Sequence, residues 1–167
     1  MKLDEIDIRI LAVLQREGRI TKLKLAEKVN LSATPCWERL RRLEGQGVIA
    51  GYHARLDLTR LARFTLVLTE ITLHRHHQAD FQRFEQTMRE TPEILECYAT
   101  GGGIDYLVKV VARDVDHYQR LIDGLLTLDI GIDRYFTYIV TKPIKESREV
   151  PLQMLMSDTA QEPEKSS

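Results

Sequence analysis

Apolar positions in the first 45 residues repeat at helical spacing. Ile6, Ile10, Val13 and Leu14 lie at intervals of 4, 3 and 1, which predicts an amphipathic helix over residues 4–16. Asp4 suits the N-cap, Asp7 the positive first turn, and Gly18 ends the helix. A second helix, residues 21–29, opens on the capping residue Thr21 and turns Leu25, Ala26 and Val29 inward. Asn30-Leu31-Ser32 reads as a tight connection, because Asn tolerates a left-handed turn and Ser32 can cap the next helix. That third helix, residues 32–44, holds Pro35 in its first turn and turns Cys36, Leu40 and Leu43 inward at spacings of 4 and 3. On a helical wheel Thr34, Glu38, Arg41 and Arg42 point the other way, with Pro35 beside them.

The pattern then changes. Gly45-Gln46-Gly47 closes the third helix, and residues 48–56 have strand character, which fits either a small wing or a plain connector. Residues 65–74 alternate as a strand. Residues 79–91 are helical on Phe81, Phe84 and Met88, and stop before Pro92. Strands at 94–100 and 106–112 flank Gly101-Gly102-Gly103. A helix over 115–128 carries Tyr118, Leu121, Leu125 and Leu128, and a last strand covers 132–141. The order βαββαβ is the ferredoxin-like arrangement, with both helices on one sheet face and the other face left for a second subunit. The fold class is α+β: a winged helix-turn-helix domain over 1–63, a ferredoxin-like domain over 64–144, and a partly disordered extension over 145–167. From Asp158 onward the chain is polar, contains Pro163 and reads as a disordered tail.

Composition adds an asymmetry to this division. The net charge of −1 conceals 13 Lys and Arg against 8 Asp and Glu in residues 1–63, and 11 against 17 in residues 64–167, balances of +5 and −6. A basic first third places a polyanion-facing surface at the N-terminus, although scatter in surface charge gives the same numbers. No stretch approaches the roughly 18 apolar residues that span a membrane. The opening Met1-Lys2-Leu3-Asp4-Glu5 lacks the apolar core of a signal peptide. Two cysteines, Cys36 and Cys97, are too few for a disulfide framework, so the expected compartment is the cytoplasm, at the nucleoid.

The outer face of the third helix has the chemistry of a major-groove reader. Arginine pairs bidentately with guanine or phosphate, hydroxyls bind either, and Glu38 can accept from a cytosine amino group. Ser32, Thr34, Pro35, Glu38, Arg39, Arg41 and Arg42 are the candidate DNA-binding residues. Plain solvation of a charged face is the alternative. His74-Arg75-His76-His77 is expected to be a solvated loop and no metal site, since adjacent histidines at a strand end diverge. Cys36 reads as a small core residue, and Trp37 as packed against a neighbour.

Thr34-Pro35-Cys36-Trp37-Glu38-Arg39-Leu40-Arg41-Arg42-Leu43-Glu44, followed by Gly47-Val48-Ile49 and Gly51-Tyr52, resembles the recognition helix and exit of the Lrp/AsnC (feast/famine) regulators. Leu3-Asp4, Asp7 and Ile10-Leu11 resemble that family's first helix, and Gly18-Arg19-Ile20, Leu25-Ala26 and Leu31-Ser32 its second helix and turn. Gly102-Gly103-Ile104-Asp105-Tyr106-Leu107 is similar to the Gly-x-x-Asp-Tyr-Leu signature of the family's effector domain, with Gly103 where the family often has an acidic or polar residue.

The resemblance implies a DNA-binding transcription regulator, not an enzyme, that senses an amino acid or related metabolite. It needs no cofactor and forms homodimers that assemble into tetramers or octamers on a roughly palindromic double-stranded operator. The candidate effector residues are Gly102, Gly103, Ile104 and Asp105, with Thr137 as a pocket wall. Glycine N–H groups can hold a carboxylate and Asp105 an ammonium, although a tight hairpin with a solvated Asp has the same sequence. Two rival functions remain: a nucleoid-type architectural protein, and a dimeric ferredoxin-like enzyme, which lacks a paired nucleophile and base.

Overall fold

A computed structural model describes residues 3–147 and 149–157. The chain forms two compact units, one reaching Arg55 and joined by the segment from Lys145 onward, the other Leu56–Ile144. By this division the first unit ends at Arg55 rather than at the expected residue 63, and the described residues from Lys145 to Ser157 group with the N-terminal unit.

The first unit is built on three helices: α1, Glu5–Arg16, α2, Lys22–Lys28, and α3, Ala33–Gly45. Asp4 caps α1 as expected, accepting from the Asp7 N–H, while the Asp7 carboxylate accepts from the Asp4 N–H to complete a capping box. The turn after α2 places Asn30 at φ 55°, with Leu31 N–H donating to Ala26 O and Asn30 N–H to Glu27 O. That is a Schellman closure with Asn in the left-handed position. Gly47, at φ 70°, closes α3 the same way through Val48 N–H to Leu43 O. Ser32 occupies the N-cap of α3, but its hydroxyl makes no cap hydrogen bond. Ile10, Leu25, Val29, Cys36, Leu40 and Leu43 form the core, as their spacing predicts.

Two expectations for this unit change. Residues 48–57 contain no strand, so they act as the connector and only a single 3-10 turn, Leu58–Arg60, precedes the sheet. Asp7, read as a helix-dipole residue, is fully buried.

In the second unit a sheet of β1 (Thr65–Leu73), β2 (Ile94–Ala99), β3 (Tyr106–Ala112) and β4 (Ile132–Ile139) has the order β2-β3-β1-β4, with every neighbouring pair antiparallel. Helices α4 (Gln78–Glu90) and α5 (Val115–Thr127) complete the ferredoxin-like fold. Val67, Ile71, Phe84, Met88, Val108, Tyr118, Ile122 and Leu125 make the helix-side core. Leu128, expected on the apolar stripe of α5, is exposed, and Ile122 takes the inner position. The opposite sheet face leaves Phe136 and Tyr138 about half exposed beside Leu68 and Glu70.

A further short helix, α6 (Leu152–Ser157), lies in the extension expected to be partly disordered. The expected tail from Asp158 falls outside the described residues. Among the described residues no helix is long and apolar enough to cross a membrane.

Candidate nucleic-acid interface and effector loop

Helix α3 sorts its residues sharply. Cys36, Leu40 and Leu43 are buried, while Thr34, Glu38 and Arg41 form an exposed row one turn apart. Arg41 makes no ion pair among the described residues. The other two arginines turn toward α1. Arg39 Nη1 donates to Asp4 at 2.6 Å and to Asp7 at 2.9 Å, and Arg42 Nη2 donates to the other Asp7 oxygen at 2.5 Å. The Arg39 side chain is 25% exposed and that of Arg42 45%. Hydrogen bonds to Asp4 and Asp7 hold the Arg39 guanidinium above its ordinary pKa. Asp4 is shifted down, chiefly by the Asp7 N–H.

Of the seven candidate DNA-binding residues, Arg39 is thus engaged inside the unit, Arg42 is shared between Asp7 and solvent, and Ser32, Thr34, Glu38 and Arg41 stand free at the surface, with Pro35 partly covered. Trp37 packs on the helical core, with Lys22 Nζ 3.1 Å from the ring centroid.

The glycine loop lies at the β2–β3 hairpin. Thr100 closes it by donating twice: its N–H to Asp105 O at 2.9 Å and its hydroxyl to Ile104 O at 2.7 Å. Gly101, Gly102 and Gly103 are exposed, and Gly102 has φ 143°, a conformation that favours glycine. Asp105 is not a free carboxylate awaiting an ammonium. Its Oδ2 accepts the Leu73 N–H at 2.7 Å, and His76 Nε2 lies 3.0 Å from Oδ1. Burial alone would raise this carboxyl, but the Leu73 N–H and His76 outweigh it and hold it below its ordinary value.

His76 is therefore a residue of this site, although its sequence context is that of a solvated loop; its neighbour His74 pairs with Asp133. Thr137 lies elsewhere. It pairs with Thr69 in mid-sheet, and its hydroxyl meets the Tyr118 hydroxyl at 2.7 Å on the helix side. Strand spacing puts it roughly 10 Å or more from Asp105, beyond reach of one small ligand held by the loop. A groove of about 480 Å³ lies between α4 and β2, lined by Glu85, Met88, Arg89, Ile94, Cys97 and Tyr106 among others. Tyr106 donates to Glu85 there, and burial followed by that contact raises the phenol well above its ordinary pKa.

Comparison with known proteins bears on both regions. Residues 3–50 match the family described as winged helix-turn-helix DNA-binding, and residues 66–150 match the Lrp/AsnC ligand binding domain. The chain is 58% identical to the transcriptional regulatory protein DoeX of Halomonas elongata over 87% of its own length and 92% of that protein. It is 42% identical to the leucine-responsive regulatory protein of Haemophilus influenzae, over 87% of each chain. A Neisseria meningitidis transcriptional regulator crystallised with L-Met superposes at TM-score 0.86 and 32% identity, over 92% of this chain and 99% of that one.

Proposed function

The chain belongs to the Lrp/AsnC family of transcription regulators, and on that premise we propose that the exposed row of α3 reads operator DNA under the control of an amino-acid-like effector at the β2–β3 loop. It is a DNA-binding regulator rather than an enzyme, as its relatives are named regulators and the chain itself matches a DNA-binding and a ligand binding domain. The observation that carries the reading is the sorting of α3: three buried apolar residues on one side, and Thr34, Glu38 and Arg41 unencumbered on the other.

Within that row Arg41 is the candidate base reader, Thr34 a hydroxyl donor and Glu38 an acceptor for cytosine. Arg42 keeps enough exposure to reach a phosphate at the groove edge, and Ser32 and Pro35 lie at the helix start where free N–H groups favour phosphate. Arg39 contributes by holding α3 against α1.

For the effector, the exposed glycine N–H groups suit a carboxylate, and the groove along α4 offers apolar and charged walls for a side chain. An ammonium would reach Asp105 by replacing His76, the group now beside it. Thr137 would reach such a ligand only from another subunit. The half-exposed Phe136 and Tyr138, with Leu68 beside them, suit pairing of two sheets. Such a dimer presents two recognition helices and asks for a roughly palindromic site, with higher assembly to tetramers or octamers.

Selection of duplexes from a random-sequence pool, followed by binding measurements with and without each standard amino acid, tests the proposal. A recovered consensus with half-sites about 10 base pairs apart, and affinity altered by at least one amino acid, is expected. Recovery of no consensus favours the architectural reading, and no response to any amino acid moves the effector outside that class.

A further inference from the structure

The chain crosses between its two units twice. Residues 46–64 lead from α3 into β1, and residues 140–151 lead from β4 to α6. Both connections leave the sheet at the same end of neighbouring strands, where Val140 N–H donates to Leu66 O at 2.9 Å. The other end of those strands holds Leu73, bonded to Asp105, and His74, whose N–H donates to Gly131 O at 2.9 Å. β1 and β4 therefore run from the effector-loop end of the sheet to both connections.

The second connection arrives at α1 on specific bonds. The Gln15 amide pairs with the Val150 backbone in both directions, donating to Val150 O at 3.2 Å and accepting the Val150 N–H at 2.6 Å. Arg16 meets Glu149 at 2.9 Å, and Leu152 packs on the core of the three-helix unit. Helix α6 has six residues, too few to hold a helix in water without a docking partner. Each of these surface contacts is individually weak. Together they make an attachment that holds yet can release.

We propose that residues 145–147 and 149–157 are a clasp that works as part of the DNA-binding unit. Gln15 and Leu152 seat it on α1. Asp7, on the same helix, holds Arg39 and Arg42 of α3, so the clasp sets how the recognition helix is presented. The step to α3 rests on the DNA-binding function proposed above; the step to α1 does not.

The test compares the full chain with Gln15→Ala, Leu152→Ser and a chain ending at Lys145. Hydrogen exchange should quicken about fivefold or more in the second half of α1 in all three variants, with β3 unchanged, because the clasp's own stabilisation is released. Affinity for a duplex selected by the full chain should fall about three- to tenfold with an unchanged salt slope, since the clasp touches no phosphate. Unchanged exchange in α1 overturns the proposal. A salt slope altered by about one also overturns it, because the tail would then contact DNA directly. If α1 responds but the full chain selects no duplex, the clasp on α1 stands and the DNA-binding reading fails instead.

Discussion

Asp7 does more than a first-turn acid normally does. Its carboxylate is fully buried, accepts from the Asp4 N–H, and takes one guanidinium on each oxygen. Asp7→Ala would leave Arg42 without its partner and Arg39 with Asp4 alone, and should cost about 3 kcal/mol in urea unfolding. Arg42→Ala removes a half-exposed partner and should cost only about 1 kcal/mol. Arg41→Ala should leave stability unchanged. Similar losses for Asp7→Ala and Arg41→Ala would remove Asp7 from the role of organiser.

Asp105 provides a second residue-scale prediction. Its folded pKa lies below the ordinary 3.8, because the Leu73 N–H and His76 outweigh burial. A carboxyl depressed in the folded state contributes stability that is present above its unfolded pKa and lost as pH falls through the folded value. Stability should therefore decline below about pH 4, and Asp105→Asn should make that decline shallower in acid titrations followed by circular dichroism. Parallel acid limbs would contradict the arrangement.

At the scale of elements, periodicity carried most of the fold. The three N-terminal helices and the βαββαβ order were legible because apolar spacing, caps and glycines agree with one another. Three features were not. Residues 48–57 are rich in strand-forming side chains yet have no strand to pair with, so they remain a connector. Helix α6 is too short to declare itself by period and exists through docking on α1. His76 sits in a His-rich run whose only cue was the run itself, and its link to Asp105 spans 29 residues. The polar row of α3 was readable by wheel geometry, but which arginines were already engaged was not, since that depends on the burial of Asp7.

The β2–β3 loop yields an element-scale prediction. A Cβ at Gly102 would meet nothing within 4 Å, so only backbone strain at φ 143° opposes it. Gly102→Ala should cost about 1 kcal/mol in thermal unfolding through that strain. A neutral substitution would mean that the loop relaxes freely.

At the scale of the whole molecule, the two matched regions divide the work. The N-terminal unit holds a helix, α3, with an exposed polar row, and the second unit a glycine loop and an open, partly apolar sheet face. If the sheets pair, Phe136→Glu should shift the protein toward monomer in analytical ultracentrifugation, since a buried charge opposes association. Its affinity for a two-half-site duplex should fall with it. An unchanged oligomeric state would place the interface elsewhere.

The most direct test is fluorescence-anisotropy titration of a selected duplex with the full chain and with Arg41→Ala. The account predicts that Arg41→Ala folds with unchanged stability, loses about 1–3 kcal/mol of affinity, and discriminates less among substituted duplexes. Equal affinity and equal discrimination in the two proteins would contradict it and take the exposed row of α3 out of the groove.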